Sequence, residues 1–315
     1  MKKALSILLA AGLVVASLTG CAPQAAPAPE APAAPAEPAA EAKTVYLITM
    51  DKMDQHWVKV DEGAKTMAAA LGLNYKWDAP DVKDNAKQIE AVNNAVADNA
   101  SLILLAANDP KAISEAVKNA KAKGVKIIYV DSSADEPAIA TLSTNNFQAG
   151  ALAGKTLLDE LKAAGVTAGK IGIIGVNTAT NSTMDRENGF RGVVEAAGFT
   201  ILTTEYKDGD AAASQEAAVG FISGNADLVG LYGTNEGSTV GVGNAIKASG
   251  KAIIGVGFDK SDAIMGLLAD GSLKAAMAQN PYTMGYLGVA QAYAALNDLS
   301  TGPAVIDTGV AVLRK

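Results

Sequence analysis

From Lys43 onward, short apolar runs alternate with longer stretches in which apolar residues recur every three or four positions. The runs predict strands near 44–50, 73–77, 101–106 and 126–130, and the stretches between them predict helices near 55–71, 84–98 and 110–123. Leu102-Ile103-Leu104-Leu105-Ala106-Ala107 and Val125-Lys126-Ile127-Ile128-Tyr129-Val130 read as strands buried on both faces. Asp109-Pro110 starts the helix that follows, and Gly124 ends it. After Ile139-Ala140-Thr141-Leu142-Ser143 the same grammar restarts, with strands near 170–175, 200–204, 227–233 and 252–257 and helices near 146–164, 182–197, 212–223, 236–249 and 260–269. Leu273 to Gln279 predicts a further strand, Tyr282 to Leu296 a helix and Ala304 to Val312 a last strand. Strands alternating with helices of this length make βαβ units. The expected fold is therefore α/β, two doubly wound parallel-sheet domains of one build, and periodicity alone assigns the last three elements to neither.

The segment ahead of this body has another character. Lys2 and Lys3 precede an apolar run from Ala4 to Ser17, and Leu18-Thr19-Gly20-Cys21 forms a small-residue cleavage site, the pattern of a secretory signal in residues 1–21. The run is too short for a comfortable membrane span. Its ending resembles the bacterial lipobox, which implies that Cys21 becomes the lipidated first residue of the mature chain. Because Cys21 is the only cysteine, the folded part has no disulfide, cysteine ligand or thiol nucleophile to draw on. Residues 22–43 hold Pro23, Pro27, Pro29, Pro32, Pro35 and Pro38, of 11 prolines in the chain, among Ala and Glu. Such a segment buries no core and is expected to be a solvated linker, reaching up to about 60 Å at roughly 3 Å per residue.

The remaining composition narrows the function. Of 315 residues, 49% are hydrophobic and 19% charged, enough for two globular cores. Removing Lys2 and Lys3 leaves 24 basic residues against 33 acidic, so the formal charge moves from −7 to near −9. That balance argues against nucleic acid and against docking on anionic lipid. With one histidine, His56, a histidine metal cluster or a His-assisted triad has no parts. No phosphate loop is present, and Gly241-Val242-Gly243 meets Ile246 where a dinucleotide fingerprint needs glycine. Neither a cofactor nor an enzymatic activity is expected.

In open α/β sheets ligands bind beyond the carboxyl ends of strands. The polar residues placed there are Asp51 to Trp57, Ala107-Asn108-Asp109, Asp131-Ser132-Ser133, Asn177 to Asp185, Asn235-Glu236, Asp259 and Gln279. Carboxylates, amides, hydroxyls and an aromatic face are the set a polyhydroxylated ligand requires. The competing role for each Asx residue is to cap the next helix. Trp57 is read as a wall of the binding site whose loss would leave folding nearly unchanged, and Trp77 as mainly structural.

His56-Trp57-Val58-Lys59-Val60-Asp61-Glu62-Gly63-Ala64, Tyr129-Val130-Asp131, Thr144-Asn145-Asn146, Arg186-Glu187-Asn188-Gly189-Phe190, Tyr232-Gly233-Thr234-Asn235-Glu236, Val256-Gly257-Phe258-Asp259 and Ala278-Gln279 occur in the order of a known group. Over about Lys43 to Arg314 the chain resembles the periplasmic sugar-binding proteins of ABC importers, of the ribose and galactose-binding type. The resemblance implies the periplasmic-binding-protein type I fold, with lobes of residues 44–144 plus 280–307 and 145–279 plus 308–315. It places three hinge strands near Thr144-Asn145, Gln279-Asn280 and Asp307 to Val310.

The same resemblance puts the sugar-stacking pair on His56 and Trp57 and hydroxyl-binding roles on Asp131, Asn235, Asp259 and Gln279. Asp54 or Gln55 takes the polar contact of the first loop. Three family contact positions differ, holding Ser132, Met184 and Ala106 where arginine, arginine and an amide would stand. The implied protein is a lipid-anchored, extracytoplasmic, monomeric receptor that closes two lobes on a pentose or hexose and docks on an ABC transporter permease. Alternatives within the fold are a cyclitol, a nucleoside or a furanosyl signal as ligand, or a sensory subunit for a membrane receptor.

Overall fold

A computed structural model describes residues 43–315. The signal segment, Cys21 and nearly all of the Pro/Ala-rich stretch lie outside the described residues. No helix among the described residues is long and apolar enough to cross a membrane.

The first sheet is built from β1 (Thr44–Ile48), β2 (Asn74–Asp78), β3 (Leu102–Leu105), β4 (Lys126–Val130), β5 (Thr141–Ser143) and, from the far end of the chain, β12 (Val305–Asp307). Its order is β12-β5-β4-β3-β1-β2, all parallel. The second sheet uses β6 (Lys170–Gly175), β7 (Thr200–Ile201), β8 (Glu205–Tyr206), β9 (Leu228–Gly233), β10 (Ile254–Phe258), β11 (Ala275–Gln279) and β13 (Val310–Leu313). It runs β13-β11-β10-β9-β6-β7, with β8 also paired to β6. The two sheets therefore repeat one doubly wound order, with β4 and β10 in equivalent places and β3 matched by β9. Each has its topological switch point, where α/β proteins bind ligands, beside its first strand.

The helices fill both faces: α1 (Gln55–Ala70), α2 (Asn85–Ala97), α3 (Ser114–Ala122) and α9 (Pro281–Leu296) on the first sheet, and α4 (Asn146–Ala163), α5 (Asn181–Ala196), α6 (Ala211–Gly224), α7 (Glu236–Ser249) and α8 (Asp262–Asp270) on the second. Alternate residues of one strand enter opposite cores. Leu102 and Leu104 join Val45, Leu47 and Val130 on one side, while Ile103 and Leu105 join Ile48, Ile127 and Tyr129 on the other. Burying each such side chain contributes about 1.5–3 kcal/mol, so the continuous apolar runs are explained by two cores per sheet.

Three predicted elements differ. The helix expected to start at Asp109-Pro110 begins only at Ser114, residues 110–113 forming a turn. The single strand expected over 304–312 is split: β12 pairs in parallel with β5 of the first sheet, and β13 pairs antiparallel with β11 of the second. Gly309, with φ 78°, turns the chain between them; this left-handed turn costs glycine little, which periodicity does not register. The strand expected over 200–204 is two short pieces, β7 and β8, both on β6.

The chain passes from one sheet to the other after β5, after β11 and between β12 and β13. After the second passage α9 returns to the first sheet and packs along α1. Gly63 and Gly285 make this close packing possible, because a Cβ on Gly63 would run into the Tyr282 carbonyl and one on Gly285 into the Val60 carbonyl. Gly241 is likewise a packing glycine: a Cβ there would meet Ser214 and the Gln215 backbone on α6.

Candidate functional site

The carboxyl ends of β1, β3 and β4 face those of β6, β9 and β10 across a cleft. A cavity there is lined by Asp54, His56, Trp57 and Asp131 from the first lobe and by Arg186, Asn235, Asp259 and Gln279 from the second lobe and its hinge. Room for a ligand in this closed form is only about 30 Å³, about one water's worth. The His56 ring is one of the side chains that fill the cleft.

His56 is buried in the first turn of α1, its ring between two carboxylates from different lobes. Its Nε2 lies 3.1 Å from Asp131 Oδ2 and its Nδ1 lies 3.5 Å from Asp259 Oδ1. The approach to Asp131 is an ion-pair contact off the N–H axis, since Nε2 makes no aligned hydrogen bond. Burial alone would lower the His56 pKa, but the two carboxylates outweigh it and hold it above the ordinary value. Burial likewise pushes Asp131 up, while His56 and Arg186 pull it below the usual range.

Asp131 and Asp259 follow the equivalent strands β4 and β10, and both adopt left-handed backbone, with φ of 63° and 74°. A non-glycine residue is rarely held in this region without surrounding structure to impose it. Neither carboxylate caps a helix. Gln279 Nε2 donates to Asp259 Oδ1 at 2.6 Å and its Oε1 accepts from Thr144 Oγ1 at 2.9 Å, joining two of the chain crossings.

Asn235 does both jobs proposed for Asx residues. Its Oδ1 accepts from the Ser238 amide at 3.0 Å, capping α7, while its Nδ2 donates across the cleft to Asp54 Oδ2 at 3.4 Å. Beside it, the His56 amide donates to Glu236 Oε2 at 3.1 Å. Burial, with repulsion from Asp54 and Asp259, raises Glu236 to about 7. By contrast Asp109 stays outside the cavity, its Oδ1 accepting from the Lys111 and Ala112 amides in the turn ahead of α3 and its Oδ2 from Asn85 Nδ2 at 3.4 Å.

Of the two candidates in the first loop, Asp54 lines the cavity, whereas Gln55 faces the outer rim and accepts from the Asp262 amide at 3.3 Å. Trp57 lines the cavity and is also core: 3% exposed, packed with Val60, Leu104 and Val130, its Nε1 donating to Asp51 Oδ2 at 3.2 Å. The expectation that Trp57 is separable from folding is corrected by this double role. Its ring meets His56 edge-on at 4.7 Å. Trp77 packs against the same core and donates to Thr49 Oγ1 at 2.9 Å, away from the cavity.

Ser132 and Ala106 are buried but outside the cavity, and Met184 does not line it. Positive charge arrives from other places. Arg186 donates through Nε to Asn146 Oδ1 and through Nη1 to the Thr234 carbonyl, stacks on Phe258 at 4.3 Å, and leaves Nη2 without a hydrogen bond 3.9 Å from Asp131 Oδ2. Lys83, in the loop between β2 and α2, bridges Asp51 Oδ2 at 2.6 Å and Asp54 Oδ2 at 3.2 Å. Neither was singled out as a site residue by sequence. Arg186 lies on the helical side of its motif, and a lone lysine in a polar loop carries no signal.

Two repeated α/β lobes with three crossings and a polar cleft between them define a two-lobed binding protein. The chain belongs to the periplasmic binding protein domain family, whose pattern matches residues 45–300. It is 27% identical over 289 residues to the ribose import binding protein of Bacillus subtilis, covering 91% of each chain. Among solved structures it is similar to a carbohydrate transporter solute-binding protein of Agrobacterium radiobacter in complex with D-arabinose, at 30% identity and a TM-score of 0.84, covering 87% of this chain and 95% of that one. A solute-binding protein of Agrobacterium vitis with bound D-fucose is 29% identical with a TM-score of 0.80, covering 86% and 95%.

Proposed function

We propose that the protein is an extracytoplasmic receptor, anchored by lipid at Cys21, that captures a neutral pentose or hexose between its lobes and delivers it to an ABC importer. The observation that carries this reading is the convergence of Asp54, Asp131, Asn235 and Asp259 from both lobes on one buried cleft beside Trp57 and His56. Ionised carboxylates accept hydroxyl hydrogens in charge-assisted bonds, and Asn235 both donates and accepts. His56 holds Asp131 and Asp259 through its nitrogens, so a polyol must move the ring aside and replace its contacts with hydroxyl donors. Contacts to both lobes exist only when the cleft is closed, so the ligand stabilises closure by its difference in affinity for the two forms.

The similarity to proteins named for ribose import and solved with D-arabinose and D-fucose supports a monosaccharide as the class. The acidic cleft disfavours sugar phosphates and sugar acids. Calorimetry on the purified protein against neutral pentoses and hexoses, their phosphates, cyclitols and nucleosides tests the assignment. Heat from a neutral monosaccharide, with affinity clearly weakened in Asp259→Asn, is the expected result; a hit confined to nucleosides or cyclitols overturns it. Anchoring is tested separately by membrane fractionation, where Cys21→Ser should release the protein.

A further inference from the structure

Lys83 is the feature of the cleft that the proposed sugar role does not yet use. Its backbone lies in an exposed loop beside Val82, 58% exposed, yet its side chain turns inward until only 8% of it is exposed. Burying an ammonium is costly unless it is paired. Lys83 meets two carboxylates, Asp51 and Asp54, and lines the cavity itself.

The two acids are not equivalent. Asp51, 1% exposed, is a structural acceptor already satisfied by the Met53 and Asp54 amides through Oδ1 and by Trp57 Nε1 through Oδ2. Pairing with Asp51 alone would explain a structural lysine. Asp54, however, takes both Lys83 Nζ and Asn235 Nδ2 on Oδ2, which turns Oδ1 away from these partners and leaves it to accept from a ligand. The opposite lobe comes equally close: at Gly209, φ 74°, a Cβ would stand 3.2 Å from Lys83 Nζ and 2.7 Å from Asn235 Nδ2. Lys83, Asp54 and Asn235 thus form a chain across the cleft mouth.

We propose that Lys83 is a positioning residue for ligand specificity: by its contact with Oδ2 it holds the Asp54 carboxyl with Oδ1 oriented as an acceptor for a ligand hydroxyl in the closed cleft. The inference rests on the sugar-binding reading. It also accounts for the charge balance, because Asp51, Glu236 and Asp259 surround Asp54 with like charge, and the cations nearby besides Lys83, His56 and Arg186, are engaged with Asp131. Burial above all, with Asp51 and Asp259, leaves the Asp54 carboxyl above its ordinary value even beside Lys83, and Lys83 is the group that opposes the rise. Without Lys83 that opposition is lost, and the carboxyl binds a proton more readily and is less firmly oriented, a donor where the ligand needs an acceptor.

The test combines two readouts on Lys83→Met, Lys83→Arg, Asp54→Asn and the Lys83→Met/Asp54→Asn double variant. Carboxyl carbon NMR follows the Asp54 titration in protein without sugar, and calorimetry follows affinity for a panel of neutral pentoses and hexoses between pH 5 and 8. Expected in Lys83→Met are an Asp54 titration raised by a pH unit or more and affinity at least tenfold weaker, most so at pH 5. Lys83→Arg should recover most of both, and Lys83→Met should add little once Asp54→Asn is present. Lys83→Gln, which can still donate to Asp51, carries the same expectation if Lys83→Met does not fold. An unmoved Asp54 titration overturns the inference whether or not a sugar binds, as does a moved titration with unchanged affinity. If wild-type protein binds no sugar in the panel, the sugar reading fails, and the NMR titration decides the hold of Lys83 on Asp54 by itself.

Discussion

Asp131 and Asp259 stand in matching positions at the ends of β4 and β10, in opposite lobes, and grip opposite nitrogens of His56 at 3.1 and 3.5 Å. One imidazole therefore does in the closed cleft what a pair of ligand hydroxyls would do. This sets the expected result of neutralising either acid. Charge-assisted hydrogen bonds contribute about 1.5–3 kcal/mol each, so Asp131→Asn and Asp259→Asn should each weaken sugar binding by roughly 10- to 150-fold in calorimetry. Unchanged affinity in Asp259→Asn would remove it from the site.

The same arrangement makes closure depend on pH. His56 has a raised pKa when folded, so its contribution is fully present below the unfolded value of about 6.5 and is lost as pH rises through the folded one. Glu236 moves from 4.5 to about 7, and a raised carboxyl favours the folded form while protonated, a benefit lost over that same interval. Both signs agree. Without sugar, the protein should lose stability from pH 5 to pH 8, Glu236 contributing up to about 3 kcal/mol at about 1.4 kcal/mol per pH unit. Glu236→Gln should flatten the melting-temperature profile on the Glu236 side; an unaltered profile would show that this carboxyl is not the sensor.

Trp57→Ala is expected to lower both affinity and stability. Its ring packs in the first-lobe core and its Nε1 satisfies the buried Asp51, so truncation should cost about 3–5 kcal/mol in denaturant unfolding. Trp57→Phe keeps most of the apolar volume and isolates the indole hydrogen bond. Trp77→Phe should leave sugar affinity unchanged.

Gly63→Ala tests the packing that brings α9 back to the first lobe. The added methyl would collide with backbone rather than with a flexible side chain, and overpacking of this kind costs about 1–3 kcal/mol, occasionally more. The melting temperature should fall, whereas Gly72→Ala, where a Cβ meets nothing but φ is 65°, should show only the smaller backbone penalty.

Arg186→Met should destabilise the second lobe. The guanidinium is buried against Phe258 and satisfies Asn146 and the Thr234 carbonyl. Asp131 keeps His56 at 3.1 Å, so the cost should come mainly from the lost Asn146 and Thr234 bonds and the Phe258 contact and fall below the about 3–5 kcal/mol of a buried charge left with no partner. Urea unfolding at pH 7 reads this directly.

Sequence alone determined the α/β class, two lobes of one build and most elements to within a few residues, because those follow from local periodicity and turn chemistry. It also marked the strand ends after β1, β4, β9 and β10 as polar, where Asp54, Asp131, Asn235 and Asp259 meet. What it left open depends on contacts between residues far apart. The split of the last strand rests on one turn at Gly309 between two sheets, and the double role of Trp57 on Asp51 and core neighbours brought together by folding. The assembly of Lys83 with Asp54, and of His56 with Asp131 and Asp259, needs loops separated by up to two hundred residues to converge. Periodicity reports which face of an element is buried; only the tertiary structure decides which polar groups share a cavity, because that is fixed by how the sheets are wound and how the lobes face each other.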